Sequence, residues 1–85
     1  MLVRVNDYSP ITDEFGVRKI QATTHGVRVN PSQVLRMDAD AVTGYESDGE
    51  TTINVFKVQL SGGMSIWTDG DGVDNINGWE FPILL

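Results

Sequence analysis

Apolar residues along this chain recur at every second position, and no stretch carries them at the three-and-four spacing of an amphipathic helix. The pattern is sharpest in TTINVFKVQL, residues 51–60, where Phe56, Val58 and Leu60 share one face. Ile53 and Val55 fall out of phase with them. That mismatch predicts either a bulge near Val55 or a strand covered on both faces at its start. Ser61-Gly62-Gly63 reverses the chain into Met64–Thr68, so Met64 and Ile66 are expected to meet Phe56 and Val58 across an antiparallel pair.

The rest of the chain reads in the same terms. Leu2 to Asn6 is a short strand with Val3 and Val5 on one side, and DYSPITDEFG after it is a polar, proline-containing loop. Val17 to Thr23 and Gly26 to Val29 form a hairpin meeting at Thr24-His25-Gly26, with the glycine supplying a positive φ. Asn30 followed by Pro31 offers a cap and a first helical position, enough for one helical or 3₁₀ turn. Beyond it Leu35, Met37, Ala39 and Ala41 alternate with Arg36, Asp38 and Asp40 as in a half-exposed strand, with a helical reading of Ser32 to Ala41 left open. Asp48-Gly49 is a turn into the main strand. Asn77-Gly78 suits a type I′ turn between Val73–Ile76 and Trp79–Leu85, and Pro82 confines the final segment to an edge. Short strands at roughly ten-residue intervals imply an all-β fold, a small antiparallel barrel or curled sheet of SH3-like size with at most one short helical turn. Residues 1–85 make one domain.

A domain this small hides little more than ~60% of the surface its unfolded chain exposes, so its core is thin and a homo-oligomer would add to it. Cysteine is absent, which removes disulfides, thiolate nucleophiles and cysteine-based metal sites. MLVRVNDYSP lacks the apolar run of a secretory signal, and no stretch approaches a membrane span, so a soluble cytoplasmic protein with no membrane partner is expected. Net charge is −6 and unevenly placed: residues 1–36 hold five basic and three acidic side chains, residues 37–85 one and nine. Such a surface repels phosphates, which argues against direct nucleic-acid binding and for a protein partner with a basic surface.

TDGDGVDNINGWE, residues 68–80, concentrates the acidity. A calcium loop of the EF-hand kind needs oxygen ligands at fixed positions and a glycine at the sixth. Starting at Asp69, it finds Asp71, Asn77 and Glu80 in place but puts Val73 and Asp74 at the fifth and sixth positions. Starting at Trp67, it gains Gly72 but loses both end ligands. Three readings stand: ordinary turn chemistry, a looser calcium site of Asp69, Asp71, Asn77 and Glu80, and a surface for a basic partner. No metal or cofactor is assigned.

Catalysis has little to draw on. His25 is the single histidine and sits among turn residues, and no nucleophile signature surrounds Ser9, Ser32, Ser47, Ser61 or Ser65. Asp38 and Asp40 share a strand face at i and i+2, as a solvated edge or a carboxylate pair would. Gly70 and Gly72 match no phosphate loop. Trp67 faces away from Met64 and Ile66, where an aromatic either closes a barrel end or anchors an interface. The expected contact residues are Trp67, Asp69, Asp71, Asp74 and Trp79, with Asp38 and Asp40 as a second patch.

The run VRVNPSQVLRMDAD, followed by TTINVFKVQLSGGMSIWTD, resembles the FlbD-type flagellar proteins and similar short β-proteins of bacteria and their phages. The matching positions are Val29, Asn30, Pro31, Val34, Thr52, Val58, Leu60, Gly63 and Ile66, within about half of the chain. The resemblance implies a small β-sheet. Here a long N-terminal extension precedes the matched run, and GVDNINGWEFPILL stands where those proteins carry a charged helix. Size, acidity and sparse catalytic groups lead to a non-enzymatic protein-binding module, a phage or bacterial accessory protein inhibiting a host defence factor. Two alternatives are an oligomeric protein that sequesters a small molecule between subunits, and a structural subunit of a phage particle or appendage.

Overall fold

A computed structural model describes residues 2–80. Its strands are β1 (Val3–Val5), β2 (Tyr8–Thr12), β3 (Arg18–Ala22), β4 (Val27–Val29), β5 (Val34–Met37), β6 (Val42–Tyr45), β7 (Thr52–Leu60) and β8 (Ser65–Asp69). A 3₁₀ turn, Pro31–Gln33, precedes β5, and a helix α1, Gly70–Glu80, follows β8. Strands β2, β3, β6, β7 and β8 close into a five-stranded barrel, so the all-β expectation holds. Its pairings are antiparallel except for β3 beside β6, which is parallel at Gln21↔Tyr45.

The long strand β7 organises everything else. β8 pairs along one edge from Val55↔Asp69 to Gln59↔Ser65 without a register shift. The other edge is shared: β6 covers Thr52–Val55, and β5 covers Val58–Leu60. Val55 and Val58 are both fully buried although three residues apart, so the out-of-phase pattern reflects a strand covered on both faces, not a bulge. Val55 points into the barrel, where a Cβ on Gly44 would stand 2.7 Å from its methyl group. Val58 points outward into the main core with Val3, Val5, Val29 and Ile76. That outer layer consists of the β1–β4 ribbon and α1 laid against the barrel wall. Burying each valine contributes roughly 1.5–3 kcal/mol.

Four local expectations give way. DYSPITDEFG is the strand β2 and a tight turn, because Tyr8 is needed inside the barrel and Pro10 lies where β2 has already left β8, which costs no ladder bond. β3 and β4 do not pair. β3 joins β2 and β6 while β4 joins β1, so Thr24-His25-Gly26 links barrel to ribbon. Gly26 has no positive φ; it is small because a Cβ would meet the Val5 carbonyl oxygen at 2.8 Å. In β5 the register shifts between Val34 and Arg36, and the skipped Leu35 turns out to water, 70% exposed. The strand ends at Met37, before Asp38 and Asp40, and its bulge takes Leu35 off the inward side that Met37 keeps.

The fourth correction is the largest. Gly70–Glu80 is an α-helix of 11 residues, where two turns and a hairpin were expected, and the allowance of one helical turn is exceeded. Asp69 caps it: its Oδ1 accepts from the Gly72 amide at 2.9 Å. Ile76 on its inner face is fully buried. Residues 81–85, into which the expected last strand ran, lie outside the described residues. The 3₁₀ turn is as expected, with the Asn30 side chain accepting from Ser32 N and Pro31 at its start.

Candidate functional site

The barrel has two unlike ends. At one, where β8 finishes, β2 meets β8 through the single pair Tyr8↔Trp67, which sets the Tyr8 ring beside Asp69. The Tyr8 hydroxyl lies 3.1 Å from Glu46 Oε1 and 3.2 Å from Asp69 Oδ2. Asn6 Nδ2 donates to the same Asp69 oxygen at 2.9 Å. Tyr8 and Asp69 are 3% and 5% exposed. Burial, then the Asp69 charge, then Glu46 push the phenol's pKa well above its ordinary value. Tyr8 is therefore a donor held between two carboxylates that share its one proton, and Asp69 has two further donors in Asn6 Nδ2 and the Gly72 amide. This cluster closes a barrel end and caps a helix.

A polar cleft of about 260 Å³ opens beside it, lined by Arg4, Asn6, Asp7, Thr23, Thr24 and Glu46 among others. Burial raises the pKa of Asp7 there, with a Thr23 hydrogen bond acting against the shift.

The expected contact residues are dispersed. Trp67 is a half-buried wall residue between Tyr8 and Lys57. Asp69 is inside the molecule. Asp71 and Asp74 are exposed, three apart on α1 and therefore on one face of it. Trp79 and Glu80 end that helix. Asp38 is half-buried in the link after β5, its Oδ1 3.2 Å from Arg36 Nε, while Asp40 is exposed. Asn77 is half-buried on α1, so Asp69, Asp71, Asn77 and Glu80 are strung along a helix and its cap instead of around a loop. Among the described residues no three His, Asp or Glu side chains form a metal-sized group.

The other end of the barrel went unread in the sequence. The pairings fix the strand directions: β2 ends there, β7 ends there, and β3, β5, β6 and β8 begin there. β2 parts from β8 beyond Tyr8, and β3 joins β6 only at Gln21, so the outer halves of β2 and β3 stand away as a two-stranded arm. Exposed Ile11, Phe15 and Val17 lie on the arm, exposed Leu35 and Val42 lie on β5 and β6, and exposed Met64 lies in the turn before β8. The one signal in the sequence was Phe15, a large aromatic inside the turn Asp13–Gly16. Comparison with protein-family models, curated proteins and solved structures gives no match for this chain.

Proposed function

We propose that this chain is a non-enzymatic protein-binding module whose partner presents a basic surface. The observation that carries the reading is the unneutralised negative exterior. Among the described residues only Asp13 and Asp38 pair with a cation, at 3.6 Å from Lys19 and 3.2 Å from Arg36. Glu14, Asp40, Glu50, Asp71 and Asp74 stand exposed with no such partner. Uncompensated charge of one sign accelerates encounter with the opposite sign and excludes like-charged surfaces. The non-enzymatic part of the reading draws support from Tyr8 and Asp69, which are buried and held in hydrogen bonds with Glu46, Asn6 and the Gly72 amide. The role that fits these features is that of a phage or bacterial accessory protein occupying the basic surface of a host factor.

Affinity capture from bacterial lysate tests this, run at ~50 mM and ~500 mM salt, where the screening length falls several-fold. Wild type is expected to retain a basic protein at low salt, and Asp71→Asn/Asp74→Asn to retain less of it through slower association. Capture that ignores both salt and the double substitution would remove the acidic face from the account.

A further inference from the structure

We infer that the flared end of the barrel is a self-association surface, on which two copies form a twofold dimer with Phe15 of each seated in the Leu35–Met64 cleft of the other. The inference stands apart from the acidic face and uses different residues.

Phe15 is a built projection. In the turn that carries it, Asp13 Oδ1 accepts from the Phe15 and Val17 amides, both at 2.9 Å. Asp13 N donates to Val17 O at 2.9 Å, and Gly16 takes the left-handed φ of +80° that closes the turn. Lys19 adds a salt bridge to Asp13 at 3.6 Å. This scaffold holds the backbone that presents a phenyl ring 81% exposed at the tip of the arm, so the turn itself needs no ordering on docking. A large aromatic presented to water in this way is the kind of side chain that anchors an interface.

A pocket of matching kind opens at the same end. A cleft of about 240 Å³ lies among Leu35, Lys57, Leu60, Gly63 and Met64, and admits one aromatic ring. Leu35 and Met64 form its apolar sides, 70% and 64% exposed. Leu35 is there because the β5 bulge turned it outward, and Met64 because Gly62 and Gly63, both at positive φ, bring the chain round beneath it. Lys57 within the cleft pairs with no carboxylate among the described residues, while exposed Glu14 sits next to Phe15 at the arm tip. Ring to apolar cleft and Glu14 to Lys57 are complementary in shape and in charge.

Projection and cleft share one end of the molecule. A contact between two such ends is satisfied in both directions by a twofold axis, in which each residue of the pair meets its counterpart twice. Such a contact closes, so it gives a dimer and not a filament. It also covers Val17 on the arm, 53% exposed in the monomer.

Sedimentation equilibrium of the full chain from roughly 1 to 200 µM, the range in which Kd values of a few µM are read, tests the arrangement. A monomer–dimer equilibrium is expected. Phe15→Glu and Met64→Glu are each expected to raise the dissociation constant at least about tenfold, with circular dichroism unchanged because both side chains are exposed. Glu14→Lys and Lys57→Glu should each weaken the dimer, and the double reversal should restore it, since the pair is exchanged as a unit. Monomer at the highest concentration overturns the inference. So does a dimer indifferent to Phe15→Glu and Met64→Glu, or an assembly that grows past two copies. None of these outcomes touches the acidic-face reading, whose Asp71 and Asp74 lie outside the contact.

Discussion

The single phenolic proton of Tyr8 lies within hydrogen-bonding distance of two carboxylates, Glu46 and Asp69. Burial disfavours the phenolate, and losing that proton would also set a third negative charge beside Asp69 and Glu46, which is why the folded chain holds it above the ordinary phenol value of about 10. A group whose folded pKa is raised contributes stability that is fully present below its unfolded pKa and is lost as pH climbs toward the folded value. Tyr8→Phe is expected to cost about 1–3 kcal/mol at pH 7, since the ring stays and the buried Asp69 oxygen loses a donor. The gap in melting temperature between wild type and Tyr8→Phe should then narrow above about pH 10. Melting curves of both proteins from neutral to strongly alkaline pH decide this, and a gap of constant width would mean that the hydroxyl does not carry the stabilisation assigned to it.

Helix α1 shows at the level of an element why parts of this fold could be read and parts could not. β7 and β8 were legible because alternation, a two-glycine reversal and β-branched residues all favour the same hairpin. Asn30-Pro31 was legible because capping is local chemistry. Gly70–Glu80 was not, since three glycines, two asparagines and three acids have poor intrinsic helix propensity and good turn propensity. What holds the helix is tertiary: the Asp69 cap, Ile76 in the core, and Gly72 packed against Thr68. The site followed the same division. Exposure of Asp71 and Asp74 was legible, whereas burial of Asp69 depends on Asn6 and Tyr8, 63 and 61 positions away. The glycines of α1 are accordingly predicted to respond with opposite signs. Gly78 has no positive φ, and among the described residues nothing lies within 4 Å of the Cβ it lacks, so Gly78→Ala should stabilise by roughly 0.5–1 kcal/mol through reduced chain entropy. At Gly72 a Cβ would run into the Thr68 hydroxyl, and Gly72→Ala should destabilise by about 1–3 kcal/mol. Adding Thr68→Ala should recover part of that loss. Urea titrations of the four proteins check it, and equal effects at both glycines would mean that residues 70–80 are not packed as this helix.

For the whole molecule the consequence lies in β7, whose two faces belong to two different packed layers. Val55 fills the barrel with Gly44 beside it, and Val58 belongs to the layer built from β1, β4 and α1. Because one strand serves both, neither layer can lose its packing while the other stays intact. The N-terminal half supplies β2 to the barrel and β1 to the outer layer, so both layers also wait on contacts remote in sequence. The chain is therefore expected to unfold in one cooperative step, in the manner of small single domains. Val55→Ala and Val58→Ala should each cost roughly 1.5–3 kcal/mol of buried apolar side chain. In a domain of this length that corresponds to a fall of about 6–24 °C in melting temperature, at roughly 4–8 °C per kcal/mol. Calorimetry and far-ultraviolet circular dichroism should give the same midpoint for each variant, with the calorimetric and van't Hoff enthalpies equal. A second transition appearing in Val58→Ala but not in Val55→Ala would show that the barrel survives without its outer layer, and the shared-strand account of stability would fall with it.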